Sequence, residues 1–281
     1  MLRIVVDSGS SIKQEEKENY GIDILPIRIQ MGNDDFLDGI NLNNEEFYHR
    51  LKEKKEFPKT ALPSLSDTQA LVERYTSQGD QVLILTISSE ISGTWQTFTN
   101  LFEENPDVLV FDTRLAVGGI RFLVMEAIRY RDEPLSVIRQ KLEELIPRIV
   151  IAAIPETLDY LFAGGRLSRA GWMAGTLLSI HPIIGFTNGK VTVLKKKRGI
   201  RAGMRAILDM LNETGCDPDY GIIASYTDND QNLQELIRQT SPSLQKQICV
   251  HDNLCPSIAC HWGPNAFGYI YVKKQTAKKE D

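Results

Sequence analysis

Hydrophobic and polar positions follow a regular order along the first half of the chain. Short apolar runs typical of buried strands occur at LRIVVD, QVLILTIS and VLVFDT. Apolar residues at helical spacing occur in NNEEFYHRLKEK, SDTQALVERYTSQG, SGTWQTFTNLFEEN and LAVGGIRFLVMEAIRYRD. Strands that alternate with helices predict a parallel sheet covered by helices on both faces.

Local signals add boundaries to this pattern. We expect DILPIRIQM to form one further strand, because its apolar residues alternate with polar ones. Ser66 is expected to cap the helix that ends at Gly79, and Ser92 is expected to begin the helix after QVLILTIS.

The order of elements changes after residue 147. The segment RIVIAAI predicts a strand, and Asn188-Gly189 between two alternating apolar runs predicts a hairpin with a type I′ turn. Helices and strands then alternate up to AFGYIYVKK. We therefore predict an α/β protein with two domains, a three-layer domain with a parallel sheet at residues 1–147 and an α/β domain with a mixed sheet at residues 148–281.

Composition narrows the function. The chain has 281 residues, of which 42% are hydrophobic and 25% are charged, and its net charge is −5. Nucleic-acid-binding proteins normally carry a strong basic surface, so we expect no nucleic acid partner. The sequence has no apolar stretch long enough to span a membrane, and its opening, MLRIVVDSGS, is typical of a strand instead of a signal peptide. We expect a cytoplasmic location, with any membrane contact transient.

Two segments resemble known binding motifs without matching them. GFTNGK, at residues 185–190, lacks the spacing and the final Ser or Thr of a phosphate-binding loop, and a hairpin turn explains it better. The cysteines between Cys249 and Cys260 lie near His251 and His261 but lack the Cys-x2-Cys pair of most zinc sites, so we expect no metal. The chain also lacks G-x-G-x-x-G after a strand and G-x-S-x-G, so we expect neither a dinucleotide cofactor nor a hydrolase nucleophile.

A hydroxyl-rich loop follows the apolar run QVLILTI. This loop, SSEISGTWQT at residues 88–97, contains Ser92, Gly93 and Thr94 and a single charge, Glu90. A helix that begins at the carboxyl end of a parallel strand presents free N–H groups and a partial positive charge, and anions bind there. The loop is therefore a candidate anion site, with a simple helix cap as the alternative interpretation.

Other segments place similar polar groups beside predicted turns and helices. They are DSGSS at residues 7–11, KTALPS at 59–64, GGRLS at 164–168 and CHWGPNAFG at 260–268. A cap, a turn or a surface ion pair explains each one taken alone. Their joint occurrence favours one shared site.

The order and spacing of these blocks resemble the DegV family of bacterial fatty-acid-binding proteins, which includes the binding subunit of bacterial fatty acid kinase. The resemblance covers nearly the whole chain. The blocks that carry it are VVDSGSSI, KTALPS, SSEISGTWQT, FDTRLAVGG, TLDYLFAGGRLSRA, IHPIIGFTNGKV, KKKRG and HWGPNAFG.

The resemblance implies a long-chain fatty acid held in a buried tunnel between or beneath two α/β domains. It implies that Thr60, Ser92 and Gly93 bind the carboxylate, and that Arg166 and His261 lie near the carboxylate mouth and face a partner kinase. That kinase subunit would use ATP to phosphorylate the carboxylate, and the acyl phosphate would serve phospholipid synthesis. The chain itself is then expected to be a carrier without catalysis, metal or cofactor.

The chain departs from the family's usual pattern at three positions. Ala61 removes a hydroxyl from the KTALPS block, and His181 stands where lysine is common. Asn265 replaces the usual glycine of the HWGPNAFG block, and asparagine can still adopt the left-handed conformation that such a turn needs.

Two other functions fit parts of the sequence. One is a small-molecule phosphotransferase related in fold to dihydroxyacetone kinase, although the chain carries no nucleotide-binding signature. The other is a lipid-sensing regulator that has no kinase partner. ATP-dependent activity of the chain alone would favour the first, and the absence of a co-purifying kinase would favour the second.

Overall fold

A computed structural model describes residues 1–53, 57–175 and 180–275. Its strands are β1 (Leu2–Asp7), β2 (Ile22–Leu25), β3 (Arg28–Met31), β4 (Asp34–Leu37), β5 (Lys59–Ala61), β6 (Gln81–Thr86), β7 (Val108–Asp112), β8 (Ile149–Ile154), β9 (Ile180–Thr187), β10 (Lys190–Arg198), β11 (Ile222–Tyr226), β12 (Ile248–Asn253) and β13 (Phe267–Val272). Its α-helices are α1 (Gln14–Tyr20), α2 (Asn44–Glu53), α3 (Leu65–Thr76), α4 (Thr94–Leu101), α5 (Gly118–Arg129), α6 (Leu135–Leu145), α7 (Asp159–Ala163), α8 (Arg169–Gly175), α9 (Ile200–Thr214), α10 (Gln231–Gln239), α11 (Pro242–Gln245) and α12 (Pro256–Trp262). Within these ranges no helix combines the length and the apolar character that crossing a membrane requires.

The first half contains a four-stranded parallel sheet in the order β2-β1-β6-β7. Alternate side chains of its strands point to opposite faces. Val5 and Ile84 pack with α3 and α4 on one face, whereas Leu83 and Leu85 pack with α5 and α6 on the other. The predicted parallel sheet with helices on both faces is therefore confirmed.

The second half contains a six-stranded mixed sheet in the order β10-β9-β8-β13-β11-β12. One face packs against α9 and α10, and the other face packs against α5. Because α5 lies between the two sheets, most of its residues are buried, including both glycines at its start. The α/β fold class is confirmed, while the domain division at residues 1–147 and 148–281 stays a prediction.

The predicted hairpin joins β9 and β10. Asn188 and Gly189 have φ angles of 51° and 83°, so both central residues have the positive φ that a type I′ turn requires. Lys190 pairs directly with Thr187 in the antiparallel register. The segment GFTNGK is thus a turn between strands, as its sequence indicated.

The prediction that DILPIRIQM forms one strand was wrong. The segment divides at Pro26 into β2, which joins the parallel sheet, and β3, which joins a three-stranded antiparallel sheet in the order β4-β3-β5. Proline has no N–H to donate to a sheet, and it fixes its own φ angle, so the chain changes direction there.

Two predicted helix starts were also wrong. Ser64 Oγ accepts a hydrogen bond from the backbone N–H of Asp67 at 3.3 Å, so α3 is capped by Ser64 and not by Ser66. The N-cap of α4 is Gly93, and the helix begins at Thr94. Ser92 therefore lies one residue before the cap.

Helix α12 belongs to the second half of the sequence but packs against elements of the first. It contacts β3, β5 and the short 3-10 turn at Ser8–Ser10. Nearly all of its side chains are buried, and Gly263 ends it with a φ of 72°. This packing closes a cavity between the two halves of the molecule.

Candidate functional site

A cavity of about 240 Å³ lies at the carboxyl ends of the parallel strands. Ile27, Ile87 and Ala116, which follow β2, β6 and β7, form part of its wall. Open α/β sheets bind ligands at this edge. Helix α12 and the β9–β10 hairpin enclose the cavity from the second half of the chain.

All the predicted site residues line this one cavity. They come from segments far apart in the sequence and are Thr60, Ser92, Gly93, Arg166 and His261. The structure thus brings residues of four of the five polar blocks to one cavity, whereas the DSGSS block at residues 7–11 does not line it. Their role in binding a carboxylate stays a prediction.

The loop before α4 brings its small polar residues to the cavity. Ser92 Oγ lies 2.8 Å from Thr94 Oγ1 and accepts a hydrogen bond from the Thr94 N–H at 3.2 Å. Gly93, the N-cap, supplies no side chain to the first turn of the helix. The positive end of the α4 dipole and the N–H groups of its first turn are therefore directed toward the cavity end at which Ser92 lies.

The other serines of this loop have structural partners. Ser88 Oγ donates to the Gly189 carbonyl oxygen at 2.7 Å, which fixes the hairpin turn against the loop. Ser89 Oγ donates to Asp112 at 2.6 Å. Glu90, the loop's one charged residue, is largely exposed and pairs with Lys190 at 3.4 Å. Its carboxylate therefore does not occupy the cavity.

Thr60 and His261 form a hydrogen-bonded pair at the same end of the cavity. Thr60 Oγ1 lies 2.9 Å from His261 Nε2. Burial and the nearby Arg166 cation lower the pKa of His261 to about 3, so the imidazole is neutral near pH 7. This pair joins β5 to α12 across the two halves of the chain.

The proton of this neutral imidazole can be assigned from its surroundings. His261 Nδ1 is buried and has no hydrogen-bond partner among the described residues. Orphaned N–H donors are rarer in proteins than orphaned acceptors, so we place the proton on Nε2. His261 then donates to Thr60, and the Thr60 hydroxyl is free to donate into the cavity.

Arg166 connects the loop before α4 to the segment that follows α7. Its Nε donates to the Ile91 carbonyl oxygen at 3.0 Å, and its Nη1 donates to the Gly164 carbonyl oxygen. Burial lowers the pKa of Arg166, but a guanidinium remains charged at any physiological pH. The cavity mouth therefore carries one fixed positive charge beside neutral donors.

The remaining wall of the cavity is apolar apart from Ser257. It is formed by Ile27, Leu62, Ile87, Ile91, Ala116, Leu161, Phe186, Val191, Ile258 and Trp262. Sequence reasoning missed most of these residues, because a wall residue and a core residue look alike in sequence. Phe186 and Val191 flank the predicted hairpin turn, and Trp262 directly follows His261. Adjacency to a predicted site residue or turn was the only signal available.

Apolar residues between positions 158 and 183 differ in their location relative to the cavity. Leu161 lines the cavity, whereas Leu158 and Ile183 are buried in the core. Ile180 lies in β9 outside the cavity lining, and Phe162 is exposed and stacks on Trp172 with 4.8 Å between ring centroids. Leu177 and Leu178 lie outside the described residues.

The similar loop after β1 does not line the cavity. Asp7 is buried, and its carboxylate accepts hydrogen bonds from the N–H groups of Gly9 at 3.1 Å and Ile87 at 2.8 Å. Ser8 Oγ donates to the buried Asp38 at 2.7 Å. Burial raises the pKa of Asp7 to about 7 and also raises the pKa of Asp38. Ser8 and the Gly9 N–H therefore serve the protein's own carboxylates, whereas the buried Ser10 and Ser11 hydroxyls have no partner among the described residues.

The cysteines are dispersed as free thiols. Cys255 donates to the Ser8 carbonyl oxygen, and Cys260 is buried beside β3 and α2. Across residues 1–53, 57–175 and 180–275, no three side chains of the His, Cys, Asp and Glu types come together as metal ligands.

A larger and more open groove of about 1100 Å³ runs along the other side of the hairpin. Arg114, Arg139 and Lys195 line it together with Glu143 and Glu213. Its mixed charges and wide opening suit solvent, whereas the smaller cavity is less open and combines a few polar groups with a mainly apolar wall. The smaller cavity is therefore the better candidate for a specific ligand site.

The fold and this cavity define an α/β protein with one parallel, one mixed and one small antiparallel sheet and with a pocket lined by both polar and apolar side chains. Comparison with known families shows which proteins this chain is similar to. The family model DegV, described as an uncharacterised protein family, matches residues 1–274. A DegV domain-containing protein of Caldanaerobacter subterraneus subsp. tengcongensis is 31% identical over 281 residues, covering 97% of this chain and 99% of the relative. The chain belongs to the DegV family.

Solved structures share the whole fold. A fatty-acid-binding DegV family protein from Streptococcus agalactiae superposes with a TM-score of 0.89 at 26% identity, covering 98% of this chain and 99% of that one. A DegV family protein from Thermus thermophilus, described by its fatty acid binding, superposes with a TM-score of 0.86 at 26% identity, covering 97% and 99% of the two chains.

Proposed function

We propose that this protein binds a fatty acid, with the carboxylate at Thr60, Ser92 and Gly93 and the acyl chain along the apolar wall. The observation that carries the proposal is the division of the cavity. Thr60 bonds to His261, and the charge of Arg166 acts on that imidazole. Arg166 also bonds to the carbonyl oxygen of Ile91, directly before Ser92, so the polar residues form one cluster. Aliphatic and aromatic side chains form most of the remaining wall. A fatty acid has the same division, with one charge at the end of an apolar chain.

The donors at the polar end suit a carboxylate. A buried carboxylate without hydrogen-bond partners is very costly, and it needs several donors. The Thr60 and Ser92 hydroxyls can supply two, and the N-terminus of α4 adds backbone N–H groups and a favourable dipole. Arg166 already donates to two carbonyl oxygens, so it contributes its charge at the mouth without forming a tight fork with the ligand.

The apolar wall supplies most of the affinity. Each methylene that leaves water contributes about 0.8 kcal/mol before the costs of binding are counted. The polar residues that bind the carboxylate therefore select the class of ligand, and the apolar wall determines the affinity. The fatty-acid-binding descriptions of the Streptococcus agalactiae and Thermus thermophilus relatives support the same ligand class.

We further propose that the protein presents the bound carboxylate to a partner kinase and has no catalysis of its own. A carboxylate oxygen would attack the γ-phosphorus of ATP on the kinase, ADP would leave, and an acyl phosphate would form. A head group held by neutral hydroxyl donors keeps a free oxygen for this attack. Arg166 and His261, which lie at the polar end, are the residues expected to face the kinase, and ATP chemistry of this kind takes place in the cytoplasm.

Calorimetry with matched ligands tests the binding proposal. Protein stripped of lipid should bind a fatty acid tightly, and should bind the alcohol of the same chain length at least tenfold more weakly, because the alcohol lacks the charge. Equal affinity for acid and alcohol would contradict the carboxylate site. Binding of neither would contradict the ligand class.

Hydroxylamine trapping tests the kinase proposal. Acyl phosphates react with hydroxylamine to give hydroxamates, which can be counted by mass spectrometry. The loaded protein with ATP should give no hydroxamate alone, and should give hydroxamate when the kinase subunit is added. Product from the chain alone would instead support the phosphotransferase function.

A further inference from the structure

Trp262 separates the candidate site from a second, smaller cavity. Trp262 is 5% exposed and lines both the cavity of about 240 Å³ and a neighbouring cavity of about 20 Å³. The consecutive residues Ala116 and Val117 also line one cavity each. The two spaces therefore meet at the indole ring and at the start of α5.

The second cavity continues the apolar character of the first. Its wall is formed mainly by hydrophobic residues of β8, β13 and the start of α5, including Ile151, Ile270 and Val117. Ser225 Oγ, a buried hydroxyl without a partner among the described residues, lies on the same wall. The space is large enough for about one water molecule, so it becomes useful to a ligand only if the indole no longer separates it from the main cavity.

The indole is held firmly in this position. Trp262 is in the last turn of α12, directly after His261, which bonds to Thr60 at the polar end. The helix is buried on nearly all sides, and Gly263 ends it with a φ of 72°, where any other residue would be strained. The same helix therefore fixes the head-group end and the indole relative to each other.

We propose that Trp262 is the floor of the acyl site and sets the longest acyl chain that this protein accepts. This inference rests on the proposed fatty-acid function. It is supported by the size of the main cavity, which at about 240 Å³ falls below the roughly 300–1,000 Å³ of typical small-molecule sites. Replacement of the indole by a small side chain joins the two cavities and lengthens the site.

Chain-length selectivity follows from this geometry. Each methylene that finds room along the wall raises affinity by about fourfold. A methylene that meets the indole gains nothing, or displaces a buried side chain at a cost in affinity. Affinity should therefore rise with acyl length up to a limit and then stop rising or fall.

The test compares acyl-length profiles of the full-length protein and the Trp262→Val variant. Dissociation constants are measured for saturated fatty acids from octanoate to stearate, after lipid removal. The wild-type profile should reach its limit early, and the W262V profile should keep rising by about fourfold per methylene for several further carbons. Identical profiles, with both proteins binding fatty acids, would overturn the proposal.

Matched variants distinguish the role of Trp262 from general effects of substitution. Trp172→Val makes the same chemical change at a residue outside the linings of both cavities, and its profile should match the wild type. Ala266→Val, which fills the second cavity, should leave the wild-type profile unchanged and should shorten the W262V profile. Thermal unfolding checks that each variant folds, and W262F, which keeps an aromatic ring, carries the test with a smaller extension if W262V does not fold.

Failure of the proposed function gives a different result. If neither the wild type nor W262V binds any fatty acid of the series, the ligand class is wrong and the floor proposal fails with it. If both bind with the same length limit, the ligand class stands and only the role of Trp262 is wrong.

Discussion

Two loops of this protein look alike in sequence and differ in what they bind. The loop DSGSS at residues 7–11 and the loop SSEISGT at residues 88–94 each follow a buried parallel strand and are rich in serine and glycine. Both end near the carboxyl edge of the same sheet. From composition alone, either could bind an anion.

The difference lies in where the carboxylates are. In the first loop, Asp7 takes the N–H groups of Gly9 and Ile87, and Ser8 binds Asp38. In the second, Glu90 is exposed and pairs with Lys190, and none of the described carboxylates lines the cavity. In the first loop, which we call the closed loop, Asp7 and Ser8 are paired within the protein, although the Ser10 and Ser11 hydroxyls have no partner among the described residues. The second loop, which we call the open loop, lines the cavity with Ser92, Gly93 and Thr94.

The largest effect on fatty-acid affinity is expected from removing a hydrogen-bond donor of the open loop. Ser92→Ala should weaken fatty-acid binding by roughly 10- to 100-fold, because a hydrogen bond to a charged group contributes about 1.5–3 kcal/mol. Calorimetry with one fatty acid measures the change. The matched control is Ser10→Ala, which removes a buried hydroxyl from the closed loop and should leave affinity unchanged. Equal losses in both variants would remove the distinction between the loops.

A second effect concerns the contact that positions the open loop. Gly189→Ala should destabilise the protein by about 1–3 kcal/mol, because its φ is 83° and an added Cβ would lie 2.7 Å from Ser88 Oγ. Urea unfolding measures the loss. Gly79→Ala is the control, since Gly79 has a φ of 79° with nothing within 4 Å of the added Cβ. A loss at Gly189 no larger than that at Gly79 would mean that the contact with Ser88 is unimportant.

The sequence predicted one part of this comparison well and another part poorly. The alternation of strands and helices, the Asn188-Gly189 turn and the left-handed Asn265, with a φ of 58°, follow from local preferences that the sequence carries directly. Which serines face a ligand does not follow, because Ser88 and Ser92 differ only in partners brought from residues far along the chain.

The same limit explains the errors of detail. Pro26 marks a break in DILPIRIQM, but the sequence does not say that β3 leaves one sheet for another. Helix α12 was missed because PSIACHW is short and nearly apolar throughout, so it shows no helical alternation. Trp262 gains its position at the cavity only through the packing of that helix.

A third prediction concerns the closed loop and pH. The pKa of Asp7 is about 7 in the folded protein and 3.8 ordinarily, so the folded state holds a proton that the unfolded state releases between about pH 4 and pH 7. Asp7 should therefore lower stability by up to about 1.4 kcal/mol per pH unit as pH rises through that window. Asp7→Asn should flatten this part of the profile, measured by urea unfolding. Parallel profiles for the two proteins would show that Asp7 does not titrate in this way.

The smallest effect on fatty-acid affinity is expected from the titration of His261. Because its folded pKa is about 3, His261 stays neutral between about pH 6 and pH 8, and fatty-acid affinity should not change with its titration there. Stability should instead fall as pH drops from about 6.5 toward 3, because only the unfolded state gains the proton. His261→Gln should remove that fall, and a clear change in wild-type affinity near pH 6.5 that H261Q lacks would show that the imidazole titrates in the folded protein.

Native mass spectrometry of the purified protein, followed by mass spectrometry of its organic extract, tests the central claim most directly. The claim is that the open loop and Thr60 bind the carboxylate of a fatty acid. We predict an adduct of one fatty acid per chain in the wild type, and its loss in the Thr60→Val/Ser92→Ala double variant. A wild-type protein that is free of lipid, and stays free after incubation with fatty acids from octanoate to stearate, would contradict the account.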